Sequence, residues 1–594
     1  MPVNTRPWLA ALPPLLLVLA WFAPSAGAAA TADARFGAVS HRYLEEFGRY
    51  SPVAATQAGD HRFDGELDDL SPAGRARAKA WANELLRQLQ AIDHSALSRA
   101  NQVDAAMLEN SLRYSVWSEE RLRDWSWDPF MYSQLTGQAL YGLLAREFAP
   151  LPDRLRSLTA RLEKLPRLLA QTRANLIPER VPAVHAETAV KQNPGVLSLV
   201  DELVVPNLGV LAPADRARLE RAIAGAREAV QAHQRWLEQD LRPRAKGDFR
   251  IGRELYEERL RFALMSPLSR EEIRRRAEAA VISTREEMYA VARSVLAGRA
   301  GAPPTPEHPT HAEQQAAIAA ALELANAERP ARDGVVDLAK ADLAEATAFV
   351  RAKGFLSVPD EPVEVIVMPE FQRGFAVAYC DAPGPLDKGQ RTFFSVSPIP
   401  KEWTQAQVDS FLREYNTRSI ANLTIHEAMP GHYLQLARSN RYPSLLRAML
   451  GSGPFVEGWA VYTERLMQEQ GFRGNDPLMH LVQLKWYLRA TTNAIMDSAI
   501  HVDGMTREEA MKLMTETGFQ EEREAAGKWV RAQLSSTQLS TYFVGFQEHF
   551  DMRAEAERRW GAAFDLKAYH ERVLSYGSPP VRFVRELIFE EPIR

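Results

Sequence analysis

Residues 425–432 read Ile425-His426-Glu427-Ala428-Met429-Pro430-Gly431-His432, and 25 positions further on stands Glu457, in Val456-Glu457-Gly458-Trp459-Ala460. Two imidazoles and a later carboxylate can hold a zinc ion and leave a fourth position to water; a glutamate directly after the first imidazole can take that water's proton. The order of residue types therefore points to His426, His432 and Glu457 as metal ligands, to zinc as the cofactor, and to Glu427 as the catalytic base of a peptidase or amide hydrolase. The apolar neighbours of Glu457 strengthen its place in the set, because a carboxylate among Phe455, Val456, Trp459 and Val461 needs a partner.

The spacing itself needs a device. Helical zinc sites normally set two histidines at i and i+4. Six positions apart, at about 100° per residue, a regular helix turns the second imidazole roughly 240° from the first. Pro430 supplies the break, since it donates no backbone hydrogen bond and pushes Met429 out of the helical region. Gly431 then takes a conformation that side-chained residues avoid. We expect one helix over 404–429, capped by Thr404 with Gln407, and a bulge at Met429 to Gly431 that returns His432 to the metal-facing side.

Upstream, apolar residues recur at helical spacing from Asp33 onward, with long stretches at Arg75 to Leu89, Asp153 to Ile177, Ile223 to Leu241, Ser269 to Leu296 and Val335 to Lys353. Val363 to Met368, Gly374 to Cys380 and Arg391 to Val396 read instead as three short strands. They predict a small antiparallel sheet beside the metal helix, either aligning an extended substrate at its edge or serving as a structural flap. Downstream, Trp486 to His501 carries Arg489, Asn493, Asp497 and His501 every fourth residue, a polar stripe on an otherwise apolar helix. Such a stripe lines a cleft or forms an internal ion network.

Residues 1–28 read as a signal peptide: Arg6, an apolar run from Trp8 to Phe22, then Ala26-Gly27-Ala28. The run is short for a membrane span, so we expect cleavage, no stable membrane anchor and a periplasmic protein. Cys380 is the only cysteine, which excludes an intramolecular disulfide. Net charge is −4 with both signs interspersed, giving no electrostatic reason to expect nucleic acid. Gly298 to His311 is a Pro/Gly-rich loop. The expected organisation is a helical region over 29–297, that loop at 298–311 and a catalytic region over 312–594, forming one continuous body; the oligomeric state is not legible.

The string His426-Glu427-Ala428-Met429-Pro430-Gly431-His432-Tyr433-Leu434-Gln435, followed by Glu457-Gly458-Trp459-Ala460, resembles the bacterial family called domain of unknown function 885. That family is similar in turn to gluzincin-like helical carboxypeptidases and oligopeptidases. The likeness runs from Ser51-Pro52-Val53 to Gly577. It implies a mainly α fold, a large helical zincin-like body around a deep cleft, and metallopeptidase activity. Arg531, Gln538, Tyr542 and Gly545 match a further segment of the family pattern, although Lys528 stands where the family prefers glutamate, and Ala532 and Ser536-Thr537 also depart. Tyr542 and His501 are the candidates to donate a hydrogen bond to an oxyanion, and Arg489 and Arg531 the candidates to bind a substrate carboxylate. The substrate expected is a peptide or an N-acyl amino acid. The rival reading is an exported peptide-binding protein or former peptidase with structural zinc, recognisable by a fourth protein ligand.

Overall fold

The structure, a computed structural model, describes residues 31–373 and 376–594; the signal-peptide reading of 1–28 and the first two residues of the expected strand at Gly374 lie outside them. The fold is mainly α. Among the described residues, no helix is long and apolar enough to cross a membrane.

In the N-terminal half, helix Leu151–Asn175 buries Leu155, Leu158, Leu162, Leu165 and Leu169 on one face. They meet Leu219, Ile223, Ala226 and Val230 of helix Pro213–Trp236, forming a leucine core. Into that core the chain drives Phe371, from the segment beside the sheet. Gly137 and Gly195 give it room: a Cβ at Gly137 would lie 2.3 Å from the Phe371 ring, and one at Gly195 2.8 Å from its Cα.

The sheet has strands β1 (Val363–Val367), β2 (Ala378–Asp381) and β3 (Thr392–Val396) in the order β1-β3-β2. It is mixed, not antiparallel as the sequence predicts, because β1 runs parallel to β3 and β2 antiparallel to it. Burial explains the order. Every residue of β3 is buried, whereas β1 alternates toward solvent, so β3 takes the middle and β1 an edge. The N-terminal half grips this layer through Arg146 Nη2 on Asp381 Oδ1 at 2.8 Å and Tyr141 Oη on Asp381 Oδ2 at 3.0 Å.

His61 makes a third clamp. Its ring stacks on Phe148 and places Nδ1 2.9 Å from Asp64 and Nε2 3.0 Å from Asp387. Burial would lower its pKa, but the two carboxylates raise it to about 9. A histidine raised in the folded state contributes stability that is complete below about pH 6.5 and lost as pH rises through about 9. Between those limits we expect melting temperature to fall by roughly a degree or two more in the wild type than in His61→Gln. Parallel slopes for the two proteins would show that the clamp is not charged.

Two helices, not one, fill residues 404–429. Gln405–Glu414 opens with the expected Thr404–Gln407 capping box. The chain then breaks at Tyr415, and Asn416 accepts hydrogen bonds from the amides of Arg418 and Ser419 to start α1, Thr417–Glu427. An asparagine that satisfies two amide donors in this way competes with helix continuation, which is why the periodicity runs on while the backbone does not. α1 is buried from Ser419 to Glu427 and packs against β2.

Candidate metal centre

α1 ends at Glu427, and α2, His432–Ser439, begins at the second histidine. Between them the chain bulges, with a cis bond at Met429-Pro430. The amide of Met429 bonds Thr424 O at 3.2 Å, that of Gly431 bonds Ile425 O at 2.9 Å, and Trp459 Nε1 donates to Pro430 O at 3.0 Å. Gly431 has φ −75° and ψ −127°, outside the regions that side-chained residues favour. A Cβ there would also lie 1.9 Å from His426 O and 2.4 Å from Ile425 O, so the close approach of the backbone requires glycine as well.

The bulge brings the two imidazoles together. Their ring centroids are 4.7 Å apart at 84°. Glu457 comes from the second turn of α3, Gly453–Glu469, and its Oε2 lies 3.6 Å from His426 Nε2 and 3.4 Å from His432 Nε2. Among the described residues, these three are the His, Cys, Asp or Glu side chains that converge as ligands, with all donor atoms within 4.8 Å of one another. Among the described residues, no fourth such side chain joins them.

The donors fit a divalent cation that takes nitrogen and oxygen ligands. Glu457 Oε2 is buried with no hydrogen-bond partner among the described residues, so the atom facing both imidazoles is the one left unsatisfied. Burial would raise the Glu457 carboxyl, but His426 and His432 hold it well below the usual carboxylate range. Burial would likewise lower His426, which Glu457 and Glu464 instead raise to about 10. Both shifts have one cause, the buried carboxylates Glu457 and Glu464 beside the imidazoles, which favour positive charge at the centre; a cation bound in place of the imidazole proton would supply it.

The sequence reading missed the residues that orient the first imidazole. His426 Nδ1 donates to Glu464 Oε1 at 2.7 Å, and Asn422 Nδ2 donates to Glu464 Oε2 at 2.7 Å. This fixes the tautomer that presents Nε2 to the centre. The signal was available: Glu464 lies seven residues beyond Glu457 on α3 and Asn422 four before His426 on α1, each on the same helical face.

Glu427 lines a cavity of about 600 Å³ together with His426, Arg489, Lys528, Arg531 and Tyr542. Burial, then the charges of Glu427 and Asp381, pushes the thiol of Cys380 in β2 well above its ordinary value, which disfavours the thiolate. Tyr542 belongs to α6, Ser540–Trp560, which packs on α3 with backbone against backbone. A Cβ on Gly458 would lie 2.4 Å from Gly545 Cα, and one on Gly545 1.9 Å from Pro454 O. The Tyr542 ring stacks over His426 at 6.2 Å, and its hydroxyl accepts from Arg531 Nη2 at 2.9 Å and Gln538 Nε2 at 3.1 Å. Burial pushes that phenol up to about 12, so it remains a donor at neutral pH.

His501 is not brought to the centre. It follows α4, Pro477–Ser498, in a turn of wider winding, and its Nε2 bonds the carbonyls of Ser535 at 2.8 Å and Ala532 at 3.1 Å. Asp497 is engaged in the same way, accepting from the amides of Thr537 and Ser540. The polar stripe therefore divides: its first half, Arg489 and Asn493, lines the cavity, and its second half pins the 532–540 segment. Arg489 is already partnered, with Nη2 2.5 Å from Glu524 Oε1 and Nη1 3.2 Å from the Tyr415 hydroxyl.

The solved structures include two close in shape. A "putative lipoprotein of unknown function" from Shewanella oneidensis is 34% identical, with a TM-score of 0.76 over 93% of this chain and 99% of its own. A "putative lipoprotein" from Colwellia psychrerythraea shares the fold, with 18% identity and a TM-score of 0.77 over 94% of this chain and 99% of its own. No curated protein matches the chain. Residues 52–588 match the family described as "Bacterial protein of unknown function (DUF885)", and the chain belongs to that family.

Proposed function

We propose that the protein is a zinc-dependent hydrolase of peptide or peptide-like amide bonds, acting in the periplasm. The observation that carries the reading is the incomplete triangle: three ligating side chains converge, no fourth His, Cys, Asp or Glu among the described residues closes the set, and Glu427 lines the adjacent cavity. A structural zinc site normally has four protein ligands and no use for a neighbouring base, which disfavours the binding-protein alternative. The periplasmic setting is supported by the leader-like residues 1–28 and by the lipoprotein description of the relatives.

When bound, zinc supplies a Lewis acid that polarises a carbonyl and acidifies water. His426, His432 and Glu457 would hold it. Glu427 accepts the proton of the attacking water and passes it to the leaving amine. The Tyr542 hydroxyl donates a hydrogen bond to the developing oxyanion, with Arg531 stabilising it from behind. Glu464 and Asn422 keep the His426 ring in place, and the apolar wall of Trp403, Phe411 and Trp486 limits access of bulk water.

Metal analysis and a peptide digest test this together. Protein supplied with zinc is expected to retain about one zinc per chain and to cleave members of a peptide library; chelation should abolish cleavage and zinc restore it. His426→Ala should lose both metal and cleavage while keeping its helical signal. A wild-type protein that retains no zinc, or that holds zinc and cleaves nothing, overturns the proposal.

A further inference from the structure

Helix α5, Glu522–Leu534, forms the cavity wall beside Tyr542. Glu524, Lys528 and Arg531 lie four and three residues apart, so they share one face of it. Arg489 approaches that face from α4. Only 4% of the Lys528 surface is exposed, yet its Nζ makes no hydrogen bond among the described residues. The carboxylate oxygen paired with it, Glu524 Oε1, is 3.9 Å away and is the same oxygen that Arg489 engages at 2.5 Å. The other acid near this cluster, Glu414, is held by Lys485 at 2.8 Å and by the Glu521 amide. One carboxylate is thus shared between two buried cations, with a third cation, Arg531, one turn away.

An ammonium on a largely buried side chain, with its paired carboxylate oxygen beyond hydrogen-bond reach, is costly unless something in the cavity completes it. Burial, followed by the charges of Arg489 and Arg531, pushes the Lys528 pKa well below its ordinary value, so the empty site disfavours the ammonium and an anion brought beside it would favour that form. The wider cavity shows the same bias: its basic side chains outnumber its carboxylates, in a chain whose net charge is −4. Distance from the metal centre is short, because Arg531 bonds the Tyr542 hydroxyl and the Tyr542 ring stacks over His426.

We propose that Lys528, with Arg489 and Arg531, receives a carboxylate of the substrate, so that the preferred substrate is a peptide-like amide ending in a free carboxylate close to the scissile bond. This rests on the hydrolase reading for the bond but not for the binding step. An ammonium on the wall of a cavity gives a carboxylate a charge-assisted hydrogen bond, and a C-terminal amide of the same shape cannot repay its desolvation.

The test is calorimetric. A panel of N-benzoyl dipeptides, each prepared as free acid and as C-terminal amide, is titrated into zinc-supplied Glu427→Gln protein, in which turnover is expected to be too slow to consume the probe during a titration. The acids are expected to bind about tenfold or more tightly than the amides. Lys528→Met in the same background should reduce the difference to about threefold or less, and Lys528→Arg should retain it. The methionine variant removes a buried charge and fills similar volume, so it is expected to fold; a matching melting curve checks this. Equal affinity for acid and amide, no binding by any acid, or full preference in Lys528→Met overturns the proposal. Preference for acids in a wild-type protein that cleaves none of the panel sinks the hydrolase reading and leaves this one standing.

Discussion

Glu427→Gln should retain zinc and the wild-type melting temperature and lose turnover by roughly 100- to 10,000-fold. Glu427 is almost fully buried at the end of α1 and lines the cavity, one residue beyond a ligand but outside the ligand triangle. Glutamine keeps its shape and removes the proton acceptor, so a loss confined to turnover isolates that function from folding and metal binding. The pattern expected is a lowered kcat, with KM for a given peptide changed little. A variant that turns over at the wild-type rate removes Glu427 from the chemistry. A variant that loses zinc as well would make it a structural support of the centre.

The second large effect is expected at Gly431. Its two nearest neighbours across the bulge are the backbone carbonyls of His426 and Ile425, not the ends of flexible side chains. Gly431→Ala cannot be accommodated by a rotamer change, and the bulge must open. Because His432 is the next residue, its Nε2 should move away from Glu457. We expect zinc affinity to fall about 10- to 100-fold or more, with a stability loss of about 1–3 kcal/mol and an unchanged far-ultraviolet helical signal. Competition with a chromogenic chelator measures the first and denaturant unfolding the second. Wild-type zinc affinity in this variant would mean that His432 does not depend on the bulge for its position.

Much of this site was legible because its parts are local. His426, Glu427, Pro430 and His432 lie within one turn and a break, and chain chemistry alone demands a bulge between the histidines. The longest helices were legible from periodicity; Val335–Lys353 has the expected bounds. What was not legible depends on which neighbour a segment meets. The break at Asn416 leaves apolar spacing intact and shows only as a cap. Strand order followed from β3 being covered on both faces, which no strand reports by itself. His501 shares a helical face with Arg489, but the chain that returns at 532–535 takes its ring nitrogen, and only tertiary structure shows that.

The contact between Gly458 and Gly545 separates two kinds of inheritance. It seats Glu457 and Tyr542 on helices whose main chains touch, so their spacing is written in backbone rather than in side-chain volume. The wall bearing Lys528 belongs to another helix, reached by neither glycine. On the proposed reading, changes at 524 and 528 of α5 alter which molecule is accepted while Tyr542 and the metal-facing groups stay in register. Any side chain at 458 or 545, by contrast, displaces both helices at once.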